Sequence, residues 1–164
     1  MDYTAGSVKT VSVNGGTVTT VAFGLSPDIA ADSTSVYWVD DGGVKKLDMN
    51  DNTVITLASG SNSRGITVDF NSVYWNENGV IKKVSKNGGT VTTLATGRSI
   101  SIGIAVDSNN VYWLGYGGLK KVSINGGAVT TISAVSDYSY GIAVDSTNVY
   151  WTQYEPGMIY KVAK

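Results

Sequence analysis

The sequence predicts an all-β fold, a β-propeller of four-stranded antiparallel blades with about four blades per chain. Three observations predict it. The Tyr-Trp dipeptide occurs four times, at spacings of 37, 38 and 38 residues, and contains all four tryptophans. Around each copy the same short apolar segments recur in the same order, and no segment shows helical spacing over a dozen positions. A period of this size indicates one supersecondary unit used repeatedly.

Each repeat contains four candidate strands, which we call a, b, c and d in chain order. In the third repeat they read GIAVD, VYW, LKKV and VTTIS. These residue types fit a pleated, packed surface. Strand a is small and apolar on both faces, as expected of an inner strand clasped between neighbouring sheets. We expect the Trp of strand b to fill the wedge between blades.

The connections also favour short antiparallel hairpins. Three of the c–d turns contain Asn-Gly, in SVNGGTV, SKNGGTV and SINGGAV, and the remaining one reads DMNDNTV. Asn, Asp and Gly accept the positive φ of tight hairpin turns. Four strands per ~40 residues is a propeller blade, and residues 1–164 are predicted to form a single domain of four ~38-residue repeats. A repetitive β-sandwich is the alternative.

The chain begins and ends within a repeat, in the order c-d, three complete a-b-c-d units, then a-b-c. The unfinished last sheet exposes an edge that the d strand at Thr17–Phe23 can cover by pairing with the final c strand, Ile159–Ala163. Within one chain this closes a four-bladed ring; between two chains it closes an eight-bladed homodimer with two-fold symmetry. We favour the homodimer, because four short blades must splay steeply. The first c strand, Val8–Val13, is redundant in both schemes, and we expect it to compete for the closure position or to hang loose.

The segments VYWVD, VYWNE, VYWLG and VYWTQ resemble the YWTD propeller repeats of low-density-lipoprotein-receptor-type proteins, and GIAVD is similar to the NHL-type propeller repeat. The resemblance covers residues 8–164 and implies a six-bladed ring, whereas this chain holds material for four blades. The alternative is therefore a natural or engineered piece of a larger six- to eight-bladed propeller. The second position after Trp is Asp only at Asp40; the other repeats have Glu77, Gly115 and Gln153, so no role of an intact Asp ring is inferred.

Composition excludes several function classes. The chain has no Cys and no His, which removes disulfides, thiol nucleophiles, the Ser-His-Asp triad and His-ligated metals. A net charge of −1 gives no reason to expect nucleic acid as a partner. No apolar run approaches the ~20 residues of a membrane span, and no signal peptide is visible. The compartment stays open, with a secreted or cell-envelope location as one option.

An Asp ends strand a in every repeat, at Asp32, Asp69, Asp107 and Asp145. An oxygen-ligated metal needs about six or more converging ligands, and one carboxylate per blade around a wide ring cannot converge. We therefore expect each Asp to bond backbone N–H groups in its own a–b turn. No metal and no cofactor is predicted.

The basic residues concentrate in strand c. Eight of the twelve lie there: Lys9, Lys45, Lys46, Lys82, Lys83, Lys120, Lys121 and Lys161. They can form a belt that grips a polyanion, or a solvated outer strand whose long stems cover apolar neighbours. We favour the second interpretation, because no aromatic residues are interleaved for base stacking.

The loops differ where the strands agree, and variation on a repeated framework is typical of specificity. In a propeller the d–a and b–c loops share one face, and Tyr and Arg among small polar residues favour binding surfaces for a protein or glycan ligand. The predicted ligand-binding residues are Asp40, Asp41, Arg64, Glu77, Arg98, Tyr116, Tyr138, Tyr140, Tyr154 and Glu155. A glycosidase using Asp40 or Asp41 with Glu77 is the enzymatic alternative. We expect a non-enzymatic binding or scaffold module whose first partner is itself.

Overall fold

The computed structural model describes residues 6–23, 28–97, 103–135, 139–154 and 157–164. These residues form seventeen strands in five antiparallel sheets. The strands are β1 (Ser7–Thr10), β2 (Thr19–Phe23), β3 (Ile29–Ala31), β4 (Ser35–Asp40), β5 (Gly43–Asp48), β6 (Val54–Ser59), β7 (Ser63–Val68), β8 (Ser72–Glu77), β9 (Val80–Ser85), β10 (Thr92–Ala95), β11 (Ile104–Val106), β12 (Asn110–Gly115), β13 (Gly118–Ser123), β14 (Thr130–Ser133), β15 (Ser139–Val144), β16 (Asn148–Gln153) and β17 (Met158–Ala163). Among these described residues, the structure contains no candidate for a membrane-spanning helix.

The sheets follow the predicted order. A two-stranded hairpin, β1-β2, precedes three complete four-stranded blades, β3-β4-β5-β6, β7-β8-β9-β10 and β11-β12-β13-β14. A three-stranded sheet, β15-β16-β17, ends the chain. We number the complete blades one to three and the last sheet blade four. The inner strands β3, β7, β11 and β15 contact one another in this order, so the blades succeed each other around a common centre.

Alternating side chains of strand b lock neighbouring blades together. At each boundary between blades, the Tyr of one blade points to the following blade and the Trp of the following blade points back. Tyr37 and Val39 of blade one share an apolar cluster with Trp75 and Val84 of blade two, and Trp75 is 1% exposed. The same arrangement recurs at the next two boundaries. The predicted position of Trp between blades is confirmed. We call the Tyr side of a blade its forward face and the Trp side its rear face.

Two inner strands are longer than predicted. Arg64 lies within β7 and Tyr140 within β15, rather than in the loops before them. The strands continue because each accommodates a register shift, and Gly65, with φ +45°, accepts the distorted backbone in β7.

The N-terminal hairpin covers the rear face of blade one. Val8 is buried there in one cluster with Trp38 and Leu47. The expectation that the first c strand hangs loose is therefore wrong, because β1 pairs with β2. Among the described residues β17 pairs with β16 alone, so a single chain does not join Thr17–Phe23 to Ile159–Ala163 and does not close a four-bladed ring in this way.

Candidate functional site

Every a–b turn is organised by the Asp that ends strand a. In blade two, Asp69 Oδ1 accepts hydrogen bonds from the backbone N–H groups of Asn71 and Ser72, both at 2.7 Å. The same two bonds are made by the other three Asp residues, Asp32, Asp107 and Asp145. The predicted turn role of the Asp column is confirmed.

The second carboxylate oxygen has a partner that the sequence interpretation missed. Tyr74 donates its hydroxyl to Asp69 Oδ2 at 2.7 Å, and the Tyr of the other three Tyr-Trp pairs does the same at 2.8 to 3.1 Å. The signal was present in the sequence, because Asp and Tyr are five residues apart in every repeat. The Tyr therefore anchors the a–b turn as well as filling the wedge.

Two of these Asp-Tyr pairs receive a lysine from the following blade. Lys86 Nζ lies 2.7 Å from Asp32 Oδ2 and 5.6 Å from the centroid of the Tyr37 ring. Lys164 Nζ lies 2.6 Å from Asp107 Oδ2 and 6.0 Å from the Tyr112 ring. The two groups line clefts of about 620 and 570 Å³ between blades, on the face formed by the a–b and c–d turns.

In these groups the pKa of the Asp is lowered and the pKa of the Tyr is raised. Burial by itself raises the pKa of Asp107, but the hydrogen bonds from Lys164 and from the Asn109 and Asn110 backbone outweigh it and lower the pKa to about 2. Burial and the bond to Asp107 raise the pKa of the Tyr112 hydroxyl to about 12. The pKa of Asp32 is lowered in the same manner. At neutral pH each group is therefore an ionised carboxylate bonded to a neutral phenol.

The lysine position alternates along the chain. Met49, Lys86, Ile124 and Lys164 are equivalent, because each donates its backbone N–H to a carbonyl in the a–b turn of its own blade. An ion pair thus joins blade one to blade two, and another joins blade three to blade four. At the boundary between blades two and three the equivalent residue is Ile124, which packs in an apolar cluster.

Strand c contributes a second cross-blade contact. Lys46 donates to the Lys86 carbonyl at 3.3 Å, and Lys83 donates to the Ile124 carbonyl at 2.6 Å. The c strands are not outermost in the complete blades, since a d strand pairs beside each. Lys46 and Lys83 therefore bind the next blade. Neither the polyanion-binding belt nor the solvated outer strand, the two interpretations drawn from the sequence, included this contact.

The predicted ligand-binding residues that the structure describes lie at the opposite end of the blades. The antiparallel register places the b–c turns beside the starts of the a strands, and Tyr116 and Tyr154 in those turns are 69% and 72% exposed. Arg64 and Tyr140 are also exposed, at the starts of β7 and β15. Arg98, Tyr138 and Glu155 fall outside the described residues.

Two acidic residues of this end, Glu77 and Asp40, are held within their own blades. Glu77 accepts hydrogen bonds from Lys82 Nζ at 2.6 Å and from Trp75 Nε1 at 3.3 Å. Asp40 accepts the backbone N–H of Gly42 at 2.8 Å, while Asp41 is an exposed turn residue. Within the residues that the structure describes, no three carboxylates gather closely enough to hold a metal ion.

The forward face of blade four is uncovered. Ile159 is 76% exposed, whereas its equivalents in blades one to three, Val44, Ile81 and Leu119, are each 0% exposed. Tyr150 is half-buried, while the corresponding Tyr residues are at most 1% exposed. The outer edge of β17 pairs with no strand among the described residues. The blade therefore has the residues of an interface without a following blade.

Known proteins resemble the chain in structure only. No protein-family model and no curated protein matches the sequence. A chain of the nidogen/laminin complex superposes with a TM-score of 0.81 at 20% identity, over 96% of this chain and 67% of that chain. Virginiamycin B lyase from Staphylococcus aureus superposes with a TM-score of 0.72 at 13% identity, over 95% and 58%. Glutaminyl cyclase from Myxococcus xanthus gives a TM-score of 0.60 at 10% identity, over 93% and 79%.

These likenesses confirm the propeller fold and the resemblance to YWTD- and NHL-like repeats. At such identities they establish the fold alone. The chain spans about two thirds of the nidogen-complex chain and 58% of the lyase chain.

Proposed function

We propose that the chain is a non-catalytic propeller module that closes its ring with a second copy of itself and offers its loop face to a protein ligand. The observation that carries the proposal is the uncovered forward face of blade four. Ile159 occupies a position that is fully buried in every complete blade. An apolar sheet face with a free edge is a site for pairing with another chain.

Among the described residues, blade four has no d strand, and each chain has one d strand outside a complete blade. β2 belongs to class d and has no complete blade of its own. If β2 of a second copy pairs with β17, blade four becomes complete and blade one of that copy follows it. Two-fold symmetry repeats the junction, so two chains close a ring of eight blades.

A binding role fits the face better than catalysis. Of the carboxylates predicted for a glycosidase, Glu77 is neutralised by Lys82 in its own blade. Tyr116 and Tyr154 are largely exposed aromatic side chains at one end of the blades, which suits contact with a protein surface. The nidogen structure is that of a complex with laminin, which shows that a chain of this fold occurs in a protein–protein assembly. A glycan is the second ligand class that such a face suits, and a lyase or cyclase activity is supported here by the fold likeness alone.

Sedimentation equilibrium over a range of concentrations tests the assembly. We expect a mass of twice 17.2 kDa at micromolar concentration. Ile159→Asp should return the protein to a folded monomer, because a buried unpaired carboxylate costs several kcal/mol at the junction. Ile55→Asp is the matched control, since Ile55 is 47% exposed on the outer strand of a complete blade. A wild-type monomer at all concentrations, or a dimer unaffected by Ile159→Asp, would contradict the proposal.

A further inference from the structure

β1 and β17 are two copies of the same strand. Both belong to class c, and Val8 of β1 corresponds to Ile159 of β17, the first inward apolar residue of the strand. Val8 is 6% exposed, because it packs on Trp38 and Leu47, whereas Ile159 is 76% exposed. One copy of the strand is thus buried on blade one and the other is uncovered at the far end of the chain.

The pairing of β1 with β2 has the register of a complete blade. In blade three, Leu119 pairs with Ser133, and after a register shift Lys120 pairs with Thr131. In the hairpin, Val8 pairs with Ala22, and after the same shift Lys9 pairs with Thr20. β1 therefore takes, beside β2, the place that a c strand takes beside its d strand. A second copy's β17 needs that same place.

From this we propose that β1 is a placeholder and that assembly is an exchange: β17 of a second copy displaces β1 from β2, and Ile159 replaces Val8 against Trp38 and Leu47. This inference rests on the proposed self-assembly and names its mechanism. β2 and blade one keep their mutual contacts throughout, so only the short β1 segment moves.

The incoming strand carries a lysine that the outgoing strand lacks at the equivalent position. Where complete blades have the lysine that donates to the next blade, Lys46 or Lys83, β17 has Lys161 and β1 has Thr10. After exchange, Lys161 is placed to donate to the Met49 carbonyl of the second copy. β1 still competes with the incoming β17 for pairing with β2, because β1 is tethered beside β2 at a high effective concentration.

A reversible crosslink tests the exchange in the full chain. The protein has no Cys, so Lys9→Cys with Thr20→Cys adds one disulfide that ties β1 to β2 across a facing pair. We expect the reduced variant to dimerise like the wild type and the oxidised variant to stay at 17.2 kDa. The matched control is Lys120→Cys with Thr131→Cys, the equivalent pair in blade three, which should dimerise in both redox states.

A second variant changes the competition in the opposite direction. Val8→Ser weakens the buried anchor of β1 but alters nothing in the exchanged junction, so the dimer dissociation constant should fall about tenfold. If the wild type dimerises while the oxidised Lys9→Cys/Thr20→Cys variant dimerises equally well, the exchange is wrong and the self-assembly stands. If the wild type, the reduced crosslink variant and Val8→Ser are all monomers, both proposals are wrong.

Discussion

Lys86 and Asp32, 54 residues apart in the chain, form an ion pair across the boundary between blades one and two, with Nζ 2.7 Å from Oδ2. The two side chains are only 14% and 24% exposed, so water screens the pair less than a surface salt bridge. The carboxylate also holds its own a–b turn and the Tyr37 hydroxyl. Asp32 thus links its own a–b turn, the Tyr37 side chain in the wedge between blades, and Lys86 of the neighbouring blade.

Removing the charge of Lys86 should therefore destabilise the fold. We expect Lys86→Met to lower the free energy of unfolding by about 1–2 kcal/mol, because Asp32 loses a charged hydrogen bond while the apolar stem is kept. Urea unfolding measures the change, and a double-mutant cycle with Asp32→Asn isolates the pair. Lys45→Met, which removes a bond to Thr56 within one blade, is the control and should cost clearly less. Equal costs for the two variants would contradict a special role of the inter-blade pair.

Stability should fall at both ends of the pH scale. The pKa of Asp107 is lowered from 3.8 to about 2, so the fold favours the ionised form; this stabilisation is complete above pH 3.8 and is lost as the pH falls through about 2. The pKa of Tyr112 is raised from 10.0 to about 12, so the fold favours the neutral phenol; that stabilisation is complete below pH 10.0 and is lost as the pH rises through about 12.

The losses of stability at acid and at alkaline pH can be separated by substitution. Asp107→Asn should reduce the change of the urea midpoint with pH on the acid side, and Tyr112→Phe should reduce it on the alkaline side. Asp41→Asn, at an exposed turn residue, is the control for the pH dependence on the acid side. An unchanged acid slope in Asp107→Asn would show that this carboxylate is not a source of the dependence.

Much of the architecture was predictable because one period orders the whole chain. The Tyr-Trp column locates strand b, and its alternation assigns Tyr and Trp to opposite faces of a blade. The Asp role in the a–b turn followed from local sequence alone, since Asp69 bonds residues two and three positions later. Local and repeated features are those that a single sequence states clearly.

Contacts between blades were not predictable in this way. The pairing of Lys86 with Asp32 depends on where a c–d turn lies against the neighbouring blade, which no spacing within a repeat reveals. The placement of Arg64 and Tyr140 within strands depends on register shifts in β7 and β15. The ligand-binding assignment of the loop residues remains a prediction, because exposure of Tyr116 and Tyr154 does not identify a ligand.

Close backbone packing at Gly43 should make this position intolerant of any side chain. A Cβ there would clash with the Ala58 carbonyl oxygen on the paired strand, and φ is +117°. We expect Gly43→Ala to cost more than about 3 kcal/mol in urea unfolding. Gly88→Ala is the control, because Gly88 also has positive φ, +79°, but has nothing within 4 Å of the added Cβ. It should cost about 1 kcal/mol; equal losses would show that backbone conformation, not packing, decides.

The Tyr hydroxyls allow the uncovered blade to be compared with a complete one. Tyr74→Phe should lower the free energy of unfolding by about 1–2 kcal/mol, because Tyr74 is 1% exposed and its loss leaves Asp69 Oδ2 without the phenol donor. Tyr150→Phe should cost clearly less than Tyr74→Phe in a dilute single copy, since water reaches the exposed Asp145 carboxylate. At concentrations where two copies assemble, the junction covers Tyr150 and its cost should rise toward that of Tyr74→Phe. Unfolding at low and high protein concentration measures the difference, and a Tyr150→Phe cost that does not change with concentration would mean that no blade comes to cover this face.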